Sequence, residues 1–262
     1  MKSQIYVEKI DAWHQRRISS LQNDYGWLTI VGLEWLKEGD NSVANLGTIT
    51  LQRGKASVQL SSGLSGLIGD KPFSGGAVRT EADPKGPDRV KVGSKAFAVI
   101  KRGNRFALRL WDTKVEGRER FVGISRYPVS EKWRIEALWE EYAKPKSIKL
   151  PSAVHKYFEE YEVPGVATFN IGGVVAKLEP IVEDASQELF FAFSDNTTGR
   201  ETYSGGRYLY ASPAERGVVV LDFNKAINPP SAFTSFATNP LPPELNRIDI
   251  AIEAGERSYP GR

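Results

Sequence analysis

The sequence predicts an all-β protein with one N-terminal α-helix, built as two packed sandwich- or barrel-like parts. Three observations carry this. After residue 25, short segments alternating apolar and polar side chains far outnumber segments with helical spacing. Glycine-containing turns separate them at regular intervals, as in sandwiches and barrels. The composition is that of a folded chain: 262 residues, 40% hydrophobic and 11% aromatic, with 35 Lys and Arg against 32 Asp and Glu for a net charge of +3.

Residues 4–22 place Ile5, Ile10, Trp13, Ile18 and Leu21 at spacings of three to five among charged residues, which predicts one amphipathic helix. Residues 27–36 are aromatic and β-branched and read as a strand, closed by Gly39-Asp40-Asn41 as a turn. Further strands are expected at 48–51, 56–60, 89–92, 96–101 and 105–111. In the last, Phe106, Leu108 and Leu110 share one face and Arg105, Ala107, Arg109 and Trp111 the other. Residues 112–132 are polar and turn-rich. A second β region then offers strands at 134–139, 147–150, 166–171, 174–181, 189–193, 208–211, 217–224 and 248–253, where Ile248, Ile250 and Ile252 alternate with Asp249, Ala251 and Glu253. The organisation expected is a helix over 1–23, a small sandwich over 24–111 and a larger β domain over 112–262.

The absence of cysteine excludes a disulfide framework, a thiolate-bound zinc, an iron–sulfur cluster and a cysteine nucleophile. His14 and His155 are too few for a multi-histidine metal centre, so no metal or cofactor is expected, and His155 reads as structural. The densest basic stretch, 117–126, offsets Arg118, Arg120 and Arg126 with Glu116 and Glu119. It describes a solvated face rather than a phosphate-binding stripe, and no nucleic-acid partner is expected. The N-terminus has no apolar signal core, and the longest apolar stretch, 27–33, is too short to span a bilayer. The cytoplasm is the expected compartment, with no membrane partner. Nucleophile-elbow, dinucleotide and Walker motifs are missing.

The candidate chemistry lies in the second half. In 217–224 the alternation puts Val219, Leu221 and Phe223 on one face and brings Asp222 and Asn224 out together at the end of a strand. The following stretch, 225–246, carries five prolines and little periodicity, as in a stiff loop that builds a site or covers a core; its polar groups include Asn228, Thr234, Thr238, Asn239 and Asn246. Upstream, 195–199 signals a turn, after which Arg200 and Arg207 flank Glu201 and Tyr203, with Gly205-Gly206 permitting a close backbone approach. Arginine forks suit a carboxylate or phosphate, and Glu201 or Asp222 would serve as acid or base. The structural alternative is that one of these carboxylates pairs with Arg200 or Arg207 as scaffold.

Three stretches carry a family resemblance: Gly26-Trp27-Leu28-Thr29-Ile30-Val31-Gly32-Leu33-Glu34-Trp35-Leu36; Thr198-Gly199-Arg200-Glu201-Thr202-Tyr203 through Gly206-Arg207-Tyr208; and Leu221-Asp222-Phe223-Asn224-Lys225-Ala226 through Asn228-Pro229-Pro230, Pro240-Leu241-Pro242-Pro243 and Asn246-Arg247. They resemble an uncharacterised prokaryotic family, the domain of unknown function numbered sixteen eighty-four. The resemblance implies a two-part all-β protein whose first part is forkhead-associated-like, and it brings no established activity. Family members often carry cysteine where this chain has Ser231 and Asn239, which implies packing or turn roles for both here. The functional expectation is a site for a small polar or anionic molecule, with Glu201 and Asp222 as catalytic groups if the molecule is transformed and Arg200, Tyr203, Arg207, Asn224, Asn228 and Asn246 as ligand-binding groups. The alternative is a non-catalytic binding or scaffold protein in which this polar cluster is structural.

Overall fold

Helix α1 (Lys2–Leu21) opens the chain in a computed structural model that describes residues 2–182 and 188–261. Ile10 and Leu21 are buried as the periodicity predicts, whereas Ile5 is half exposed. The stripe turned inward runs Tyr6, Ile10, His14, Arg17, Leu21, at spacings of three and four, so polar side chains fill positions an apolar reading skips. Among the described residues no helix is long and apolar enough to cross a membrane. Two units divide the chain, Met1–Leu21 with Val122–Arg262, and Gln22–Phe121.

The Gln22–Phe121 unit is a pair of antiparallel sheets. Six strands run in the order β1-β10-β9-β8-β5-β6, where β1 is Ile30–Trp35, β5 Gly66–Ile68, β6 Lys71–Phe73, β8 Val90–Val92, β9 Lys95–Arg102 and β10 Arg105–Asp112. Four run β2-β3-β4-β7, with β2 Gly39–Val43, β3 Gly47–Gln52, β4 Lys55–Leu60 and β7 Gly75–Val78. Ile49 and Val58 of the smaller sheet meet Phe97, Val99 and Leu108 of the larger in one apolar cluster. Strands β3 and β4 thereby hide the face their sequence marks as apolar, whereas β9 and β10 are buried on both faces. A short helix, α2 (Glu116–Glu119), follows.

Two expectations are corrected here. Residues 27–29 form a 3-10 turn rather than the start of a strand, because the Thr29 hydroxyl donates to the carbonyls of Asp24 and Gly26, both at 2.9 Å. Residues 39–41 open β2 rather than closing a turn. Their polar side chains bond locally, Asp40 accepting from Thr50 Oγ1 at 2.7 Å and Asn41 donating to the Lys37 carbonyl at 2.8 Å, while the backbone pairs with β3.

In the other unit a four-stranded sheet runs β13-β12-β11-β16, with β11 Arg134–Pro151, β12 Phe158–Ile171, β13 Val174–Leu178 and β16 Val218–Asp222. The segments expected at 134–139 and 147–150 are the two ends of one 18-residue strand, β11. Gly172 and Gly173, both at positive φ, make the tight turn from β12 to β13. A three-stranded sheet, β15-β14-β17, consists of β14 (Leu189–Asp195), β15 (Arg207–Ala211) and the two-residue β17 (Arg247–Ile248). Phe191, Phe193, Leu209, Leu221, Phe223, Ile248 and Ile252 fill the core. The strand expected over 248–253 stops at Ile248: the isoleucines alternate in burial as read, but the Ile252 carbonyl accepts from a side chain, Arg207 Nη2, at 2.9 Å.

Candidate functional site

The loop leaving β14 shapes the first polar cluster. Asp195 folds its own chain back, Oδ1 accepting from the Thr197 amide at 2.6 Å and the Thr197 hydroxyl at 2.5 Å. Its other oxygen takes Arg207 Nη2 at 2.5 Å. Arg207 has no exposed surface, and besides Asp195 it donates to the carbonyls of Ile252 and Ala254, with Phe193 under its guanidinium at 5.3 Å. The guanidinium fork thus holds together the end of β14, the start of β15 and the chain at 252–254. Neither Glu201 nor Asp222 is its partner; the carboxylate comes from Asp195, twelve residues upstream.

Asp222 and Asn224 do emerge together at the end of β16, as the alternation predicts, and both are buried. Asp222 Oδ1 accepts from Tyr6 Oη at 2.8 Å, from the Asn224 amide at 3.3 Å and from Asn224 Nδ2 at 3.1 Å. Asn224 Nδ2 also donates to the Ser130 carbonyl at 2.9 Å and Oδ1 accepts from the Ser130 amide at 3.0 Å. Burial, together with the hydrogen bond to Asp222, pushes the Tyr6 phenol well above its ordinary value. Asn246 behaves similarly in the proline-rich stretch. Fully buried, it accepts from the Glu179 amide at 2.7 Å and donates to the carbonyls of Glu179 and Ala192, both at 2.8 Å, an amide standing in for a strand.

The other residues converge on the chain at 255–258. This segment is fixed by backbone hydrogen bonds: Glu256 donates to Ala226, Arg257 to Ser125 and Ser258 to Glu201, while Gly255 accepts from Tyr127. The side chains of Glu256 and Arg257 serve different partners. Glu256, 1% exposed, accepts from the Asn228 amide at 2.6 Å and from Arg17 Nε at 3.3 Å. Burial raises its carboxyl above the ordinary range, against the pull of Arg17. Arg257 Nη2 reaches Glu201 Oε2 at 3.1 Å, and Tyr127 Oη donates to the same oxygen at 3.1 Å. The Arg257 and Glu201 side chains are 44% and 47% exposed. Burial and Glu201 lift the Tyr127 phenol to about 12, so it stays a donor at neutral pH.

Asn228 links the two groups. Its Nδ2 donates to the Arg257 carbonyl at 2.8 Å and its own carbonyl accepts from Arg17 Nη2 at 3.1 Å, yet its Oδ1 is buried with no hydrogen-bond partner. Arg17 also lies over the Phe233 ring, which packs on Tyr259. Tyr203 Oη donates to the Ser231 carbonyl at 2.9 Å, and Arg200 is exposed beside Glu201. Ser231 and Asn239 bond each other, the Ser231 amide to Asn239 Oδ1 at 2.9 Å and Asn239 Nδ2 to Ser231 Oγ at 3.2 Å.

Of the eight residues singled out in the sequence, Arg200, Glu201, Tyr203 and Asn228 therefore belong to one region, and Arg207, Asp222, Asn224 and Asn246 to three others. Sequence reasoning missed Arg17, Tyr127, Glu256 and Arg257. The helical stripe through Ile10, His14 and Leu21 marks Arg17 as inward-facing; nothing in the periodicity marks Glu256.

Comparison with known proteins places these findings in a family. No curated protein matches the chain. A solution NMR structure of an uncharacterized protein of Haloarcula marismortui is similar at 33% identity, covering 53% of this chain and 78% of that one with a TM-score of 0.45. The model of a family described as proteins of unknown function, DUF1684, matches residues 119–257, more than half of the sequence and all of the 195–257 stretch that builds these clusters. The chain belongs to the DUF1684 family.

Proposed function

We propose that this protein binds a small polar or anionic molecule at the surface carrying Glu201, Tyr203 and Arg257, with Asn228, Glu256 and Arg17 behind it. The observation that carries this reading is the Asn228 side chain: fully buried, with its Nδ2 donating to the Arg257 carbonyl and its Oδ1 without a donor. A buried acceptor left open costs about 1–3 kcal/mol, and such groups persist where a ligand or an ordered water supplies the donor. Around it stand a cation that accepts a carboxylate or phosphate, Arg257, an exposed carboxylate, Glu201, and a carboxyl held by burial towards its protonated form, Glu256. In a transforming enzyme the exposed Glu201 would act as acid or base, with Glu256 behind it in support. Asp222 is assigned to support in this reading, since Tyr6 and Asn224 occupy it.

The scaffold reading is favoured by a different observation: Arg207 with Asp195, Asn224 with Ser130 and Asn246 with Glu179 meet most of their hydrogen-bonding needs internally, below the surface. A thermal-shift screen of small carboxylates, phosphates and polar metabolites separates the two. The ligand reading predicts a compound that stabilises the wild type and loses its effect in Glu201→Gln and Arg257→Met, both exposed enough to leave folding intact. Equal stabilisation of all three proteins, or no stabilising compound, favours the scaffold.

A further inference from the structure

In the Gln22–Phe121 unit the most buried arginine is one without a carboxylate. Arg79, Arg102 and Arg118 are better exposed, and each holds a carboxylate oxygen within 2.7 Å. Arg109 is only 7% exposed; it forms none of the ion pairs among the described residues, and its Nε has no hydrogen-bond partner. The sheet explains why. Arg109 of β10 lies between Ala98 of β9 and Leu33 of β1, neither of which has a polar side-chain atom. Two residues on and on the same face, Trp111 lies between Ala96 and Ile30, and its indole Nε1 is likewise buried without an acceptor. The carboxylate whose charge acts on Arg109, Glu81, is committed to Arg102 Nη1 at 2.5 Å and the Lys101 amide at 2.8 Å.

Two orphaned N–H groups on one strand face, one of them on a guanidinium, call for the same complement: an acceptor that carries negative charge. The surroundings favour it further. Trp27 lies 5.6 Å from the Arg109 guanidinium, and Arg89 sits 5.3 Å over Trp111 and 3.8 Å over Tyr25, adding a second cation rather than an anion. Burial and the proximity of Arg102 lower Arg109 to about 10, the response of a guanidinium whose charge is not compensated. We infer that Arg109 and Trp111 form a binding site for an oxyanion, a carboxylate or phosphate group of a small ligand, separate from the surface at Glu201 and Arg257.

The chemistry is hydrogen bonding with charge neutralisation and involves no covalent step. The test is an amide and indole NMR titration of the full nitrogen-15-labelled chain at pH 7 and constant ionic strength. Inorganic phosphate is added in one arm, acetate in a second and chloride in a third. The expected result is a saturable shift of the Trp111 indole N–H with phosphate or acetate and none with chloride. The responding arm tells a phosphorylated from a carboxylate ligand. The same anion should raise the melting temperature by about 5 °C at a hundred times its Kd in the wild type and not in Arg109→Met. An indole signal unmoved by both oxyanions, or a Arg109→Met protein that responds as the wild type does, would overturn the site. Should Arg109→Met fail to fold, the wild-type titration decides alone.

Discussion

Asn246 illustrates how one amide replaces a length of strand. Its three hydrogen bonds satisfy the Glu179 amide and the carbonyls of Glu179 and Ala192. Asn246→Ala leaves a buried N–H and two carbonyls without partners, so a loss of about 2–4 kcal/mol is expected from urea unfolding, with the slope unchanged. Glu256 makes a prediction in pH. Its folded-state pKa lies above its unfolded value, near 4.5, so its contribution to stability is fully present below pH 4.5 and is lost as pH rises through the folded value. The difference in melting temperature between Glu256→Gln and wild type should therefore move in favour of the variant as pH is raised from 4 to 7. A difference that moves the other way would show that Arg17 outweighs burial at this carboxyl. At this scale the sequence was partly legible. Asp222 and Asn224 share a strand face by simple alternation, while the partner of Arg207 was hidden because pairing depends on a turn geometry that spacing does not encode.

At the scale of elements, side chains decide where alternation becomes a ladder. The Ile248–Ile252 alternation keeps its burial pattern without a strand because Arg207 takes the Ile252 and Ala254 carbonyls. The close approach expected at Gly205-Gly206 has a defined neighbour. A Cβ on Gly206, at φ +80°, would lie 2.5 Å from Pro242 Cγ and 2.6 Å from the Phe193 carbonyl. Gly217 has a similar φ, +77°, and open space around it. Gly206→Ala should thus cost at least about 2 kcal/mol more than Gly217→Ala, which bears only the left-handed backbone penalty of about 1–2 kcal/mol; chemical denaturation of the two variants measures the gap. Helix α1 was legible as a helix with Ile10 and Leu21 turned inward, but the partners of Tyr6, His14 and Arg17 on the same stripe were not, because these bury polar groups against specific distant residues. His14 Nε2 meets the Ile124 carbonyl at 3.2 Å. Burial, aided by Arg126 and Arg17, lowers the His14 pKa from 6.5. Stability from this site is present above pH 6.5 and is lost as pH falls towards the depressed folded value. His14→Gln should flatten the melting profile between pH 7.5 and 5.

For the whole molecule, the mostly β fold with its leading helix was legible because alternation and turn spacing recur over more than two hundred residues. The short strands β5, β6 and β7 were not, since three or four residues give periodicity too little length. Gln22–Phe121 has its own two sheets and apolar cluster, so a 22–121 fragment should fold alone with a cooperative urea transition. Residues 122–262 without α1 should not, because Asp222, Glu256 and Asn228 lose bonds to Tyr6 and Arg17. On the proposed reading, the polar residues of the second half divide into buried support and an open binding surface. Comparing urea midpoints of Arg207→Met and Glu201→Gln tests it most directly. Removing Arg207 strands the buried Asp195 carboxylate and should cost about 3–5 kcal/mol, whereas Glu201→Gln should stay within about 1 kcal/mol of wild type. Midpoints that fall equally in the two variants, or an Arg207→Met protein as stable as the wild type, would contradict the division.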